Sequence, residues 1–60
     1  MLYVDYVYEI IKLEFEGVDA IYKDAIIRNV GVFGLNALLE HNLLETCGVV
    51  NGRQLYALRA

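Results

Sequence analysis

From Leu2 to Glu16 the polar residues Asp5, Glu9, Lys12 and Glu16 recur at spacings of four, three and four, which trace one stripe of a helix. Tyr3, Val4, Val7, Ile10, Ile11 and Leu13 fill the opposite side, with Tyr8 and Phe15 at its edge. Glu9 with Lys12, and Lys12 with Glu16, add weak support at helical spacing. A strand is the rival reading, because Tyr, Val and Ile dominate and Leu13-Glu14-Phe15-Glu16 alternates. The helix over 2–16 is preferred, and Gly17 supplies its stop.

Asp19 reads as the N-cap of a second helix over 20–28, with Ile21, Ala25 and Ile26 near one face and Lys23, Asp24 and Arg28 toward water. Asn29 and Gly31 offer left-handed backbone to end it, and Gly31-Val32-Phe33-Gly34 reads as a turn. A third helix over 33–41 would bury Leu35, Leu38 and Leu39, with Asn42 as its left-handed cap. The clearest local signal is Asn51-Gly52. Both residues tolerate the positive φ of a type I′ turn, and apolar-rich segments flank them. This predicts a hairpin over 43–58 with its turn at 51–52, in which Val50 faces Arg53, Val49 faces Gln54 and Cys47 faces Tyr56. A two-stranded hairpin is marginal alone, so it must pack on the helices. The expected fold is one α+β unit over 1–60: three helices followed by a C-terminal β-hairpin.

Composition narrows the function classes. The chain has 60 residues, of which 58% are hydrophobic and 22% charged, with one Cys, one His and no Pro. That apolar share excludes a disordered tail. One Cys cannot bridge internally, and Cys47 with His41 falls short of the four ligands of a structural zinc site. Mean hydropathy is +0.43, yet no apolar run approaches the roughly 18–20 residues that cross a bilayer. Asp5 and Glu9 stand where a secretory leader would be apolar. The chain therefore reads as cytoplasmic and reduced, without a membrane partner. Its surplus apolar surface points to a second protein, most simply another copy meeting it through Tyr3, Tyr6, Ile10 and Leu13 of the first helix.

The order helix, helix, turn, helix, hairpin resembles a winged helix-turn-helix domain. The local match is Leu38-Leu39-Glu40-His41-Asn42-Leu43-Leu44-Glu45 running into Val49-Val50-Asn51-Gly52-Arg53-Gln54-Leu55-Tyr56-Ala57-Leu58. It is similar to that family's recognition-helix end, its leucine–cap–leucine step, its glycine wing tip and its closing Tyr-x-Leu strand. The resemblance covers residues 19–58. It implies a small DNA-binding transcriptional regulator in which Asn36, His41 and Asn42 approach base edges, while Arg28, Arg53 and Arg59 reach the backbone. Three departures stand beside it. The interval from Gly31 to Leu43 is short, the third helix carries no Lys or Arg, and the net charge is −3. Residues 1–20 hold Asp5, Glu9, Glu14, Glu16 and Asp19 against Lys12 alone, whereas nucleic-acid modules carry a basic excess. The alternative is a protein-binding accessory or inhibitory module that acts on a larger partner without DNA.

No residue set suggests catalysis, a cofactor, a metal or a small-molecule substrate. His41 has no partner at a recognisable spacing, Glu14 and Glu16 diverge on a helix, and Gly31-Val32-Phe33-Gly34 lacks the Lys of a phosphate loop. Cys47, placed opposite Tyr56, reads as a small buried residue. Tyr3, Tyr6 and Tyr8 alternate with acids rather than the Lys and Arg of single-strand binders, so they read as core or interface.

Overall fold

The computed structural model describes residues 2–59, so Met1 and Ala60 of the 1–60 unit lie outside it. The order is α1 (Tyr3–Glu14), β1 (Ile21–Tyr22), α2 (Lys23–Glu40), β2 (Leu44–Val50) and β3 (Arg53–Leu58). The three strands form one antiparallel sheet in the order β1-β3-β2. Two helices and a three-stranded sheet replace the expected three helices and hairpin.

Both corrections have local causes. The helix expected over 20–28 begins only at Lys23, because Ile21 pairs with Tyr56 and Tyr22 with Leu55. Asp19 is thus no N-cap, and Tyr22 caps α2 without a side-chain hydrogen bond. The helix expected over 33–41 is not separate. Helical backbone runs from Lys23 to Glu40, broken at Gly31 alone with φ 76 and ψ 175. That pairing of angles is essentially open only to glycine. One residue makes the bend for which a four-residue turn was expected, and Val32 re-enters the helix at once.

Helix α1 begins where the Asp5 carboxylate accepts the Leu2 backbone N–H at 3.3 Å, the returning half of a capping box. It buries Val4, Val7 and Ile11, one stripe at helical spacing. Helix α2 buries Ile26 before the bend and Gly34, Leu35 and Leu38 after it. At its end Leu43 N–H reaches Leu38 O at 2.9 Å and Asn42 N–H reaches Leu39 O at 3.1 Å, with Asn42 at φ 57. This is a Schellman closure with asparagine in the left-handed position.

The sheet adds Ile21, Leu44 and Tyr56 to the core. Ile11, Ile26 and Leu38 are wholly buried, so α1 and both halves of α2 meet at one point. The hairpin turns at Asn51 (φ 51) and Gly52 (φ 76), with Val50 opposite Arg53 and Val49 opposite Gln54. Further along, Thr46 rather than Cys47 lies opposite Tyr56, because the register shifts between Thr46 and Gly48. Cys47 sits in the resulting bulge and is exposed, contrary to the buried position expected. The C-terminal end is tied down twice: Arg59 N–H donates to Leu43 O, and the Tyr8 hydroxyl donates to Arg59 O, both at 2.9 Å.

Candidate protein-interaction surfaces

The residues expected to face DNA are spread over both halves of α2, its C-terminal cap and the two ends of β3. Arg53, at the hairpin turn, donates from Nη2 to Asp24 Oδ2 at 3.1 Å, and its guanidinium lies 4.3 Å from the Tyr22 ring centre. Its cationic head is already engaged by an acid and an aromatic face at the start of α2. Arg59 lies past the opposite end of β3, which at about 3.3 Å per residue sets the two arginines some 20 Å apart along the strand. Arg28 is exposed on the first half of α2, and Asn36 is exposed on the second. His41 is the exposed C-cap of α2, while Asn42 closes that helix end with its backbone. From Asn29 to Gly52 the sequence holds no Lys or Arg.

What that face carries instead is apolar. Phe33 is 84% exposed and Val32 55% exposed, directly after the bend at Gly31. Their sequence position hid them in an expected turn. Once helix resumes at Val32, the buried pair Leu35 and Leu38 turns Phe33 toward solvent. That spacing was the available signal. Gly34 permits the arrangement: a Cβ built there would stand 2.6 Å from Val30 Cβ and 3.4 Å from Val7 Cγ1, so the two halves of α2 close on each other across the bend only without a side chain at this position.

A second apolar line runs along α1. Tyr3, Tyr6 and Leu13 are 54%, 57% and 70% exposed, and Ile10 between them is half-buried. This line stands beside the buried stripe of Val4, Val7 and Ile11.

A shallow pocket of about 250 Å³ lies between Tyr22, Lys23, Asp24, Gly52, Arg53 and Gln54. It is smaller than the usual small-molecule site, and its walls are the Arg53–Asp24 pair itself. Among the described residues no group of three or more His, Cys, Asp and Glu could hold a metal, and no helix is long and apolar enough to cross a membrane. Comparison with family models, curated proteins and solved structures finds no match, so nothing there identifies the winged-helix family.

Proposed function

We propose that the chain is a protein-binding accessory module whose contact face is the second half of α2. The observation that carries this reading is Phe33, a large aromatic left 84% exposed on an ordered helix in a chain with little core to spare. Buried aromatic anchors dominate many protein interfaces, and charge is depleted at interface centres. Val32, Phe33 and Asn36 suit that pattern, with Glu40 and His41 as a polar rim. The missing cations between Asn29 and Gly52 and the engagement of Arg53 by Asp24 favour a protein over a phosphate backbone.

The test compares the wild-type chain with Phe33→Ser. Because Phe33 is exposed, the variant keeps its circular dichroism spectrum. It loses, by at least about tenfold in affinity, a protein that the wild type captures reproducibly. Tight DNA binding that falls steeply with salt and ignores the Phe33 substitution would overturn the reading.

A further inference from the structure

We propose that α1 pairs antiparallel with the α1 of a second copy of this chain, through Tyr3, Tyr6, Ile10 and Leu13. This surface is on a different element from Phe33, and it stands or falls separately from the accessory-module reading.

The first argument is the leftover line itself. Val4, Val7 and Ile11 already satisfy the core, yet α1 carries a parallel apolar row at one-turn intervals of which Tyr3, Tyr6 and Leu13 stay more than half exposed among the described residues and Ile10 is half-buried. The row runs the length of the helix, which at 1.5 Å per residue is about 18 Å. An aromatic side chain offers roughly 150–250 Å², so each half-exposed tyrosine leaves about 100 Å² bare. With Leu13 and Leu2 the row exposes on the order of 400 Å² per copy, and a pair would bury about 800 Å² in total. That is the size of a weak, transient contact, which fixes the expected behaviour: a dimer that forms and dissociates with concentration.

The second argument is self-complementarity. A two-fold axis through the middle of α1 sets Tyr3 against Leu13 of the other copy, and Tyr6 against Ile10. Each ring meets an aliphatic side chain, and each contact occurs twice, as an isologous interface demands. A parallel arrangement would place tyrosine on tyrosine and bring the two Glu14 carboxylates level with one another.

The third argument is charge. In the antiparallel pair Glu14 comes level with the first turn of the facing helix, where the leading backbone N–H groups lack intrahelical acceptors and the dipole is positive. The two helix dipoles also oppose. Asp5, Glu9 and Lys12 stay exposed on the outer side of α1, where burial is not asked of them.

The experiment is sedimentation of the full chain across micromolar concentrations, with four variants. Wild type moves from 6.8 kDa toward twice that mass as concentration rises. Tyr6→Glu and Leu13→Glu, both at exposed positions, stay at the monomer mass while keeping their helical spectrum. A Cys47→Ser chain carrying Tyr3→Cys and Leu13→Cys forms a disulfide-linked dimer on mild oxidation, and Tyr6→Cys in the same background does so poorly. A wild type that stays monomeric throughout overturns the proposal, as does a dimer that survives both glutamates. Efficient cross-linking through Tyr6→Cys instead of the Tyr3–Leu13 pair overturns the antiparallel geometry.

Discussion

Gly34 and Gly31 belong to the same helix and forbid side chains for different reasons. At Gly34 the obstacle is space: an added methyl would press on Val30 Cβ, which cannot rotate away. At Gly31 there is open space around the Cβ position, and the obstacle is the backbone itself, at φ 76. We expect Gly34→Ala to cost about 1–3 kcal/mol by overpacking and Gly31→Ala to cost a similar 1–3 kcal/mol by strain. The two are separable by structure rather than by size. Gly31→Ala should lose helical signal as the bend rearranges, whereas Gly34→Ala should keep it and lower only the urea midpoint. Equal midpoints for Gly34→Ala and wild type would mean that Val30 and Gly34 are less closely packed across the bend than the geometry requires.

At the scale of elements, the end of α2 rests on Asn42 in the left-handed region, with Leu43 and Leu38 joined by a backbone hydrogen bond across the cap. Asn42→Gly should therefore be neutral or slightly stabilising. Asn42→Val, which resists positive φ, should cost about 1–2 kcal/mol, read in the same denaturant titration. This closure was legible in the sequence, as were α1, from its polar stripe, and the hairpin turn, from Asn51-Gly52. The parts that were not legible share a cause. Strand β1 is two residues long, too short to show any period, and Asp19 just before it looked like a cap. The bulge at Cys47 adds one residue to β2, so counting outward from the turn gives correct partners as far as Gly48 and wrong ones beyond. The Arg53–Asp24 contact joins residues 29 apart, a distance at which no spacing rule applies. Local patterns report elements; they do not report which side chains two distant elements bring together.

For the whole molecule, the decisive feature is how few side chains form the core. Among the described residues nine apolar side chains are buried, and only Ile11, Ile26, Leu38 and Val7 of these are closed off almost completely. A chain of this length has about 0.05–0.15 kcal/mol of stability per residue, hence ~3–9 kcal/mol in total. Ile26 is the one member of that quartet from the first half of α2, and it shares one core cluster with Ile11 of α1 and Leu38 of the second half. Truncating it leaves a hole that three separate segments would have to collapse into, and the bend at Gly31 prevents the halves of α2 from moving as one rod. Ile26→Ala should thus cost about 2–5 kcal/mol, a large share of everything that holds the fold. Truncation of Val49, which is 63% exposed on the hairpin, should cost no more than about 0.5 kcal/mol. Thermal melts of the two variants below the concentration at which copies pair provide the measurement. An Ile26→Ala chain that melts with the Val49→Ala chain would place the stabilising core somewhere other than the junction of α1 with the two halves of α2.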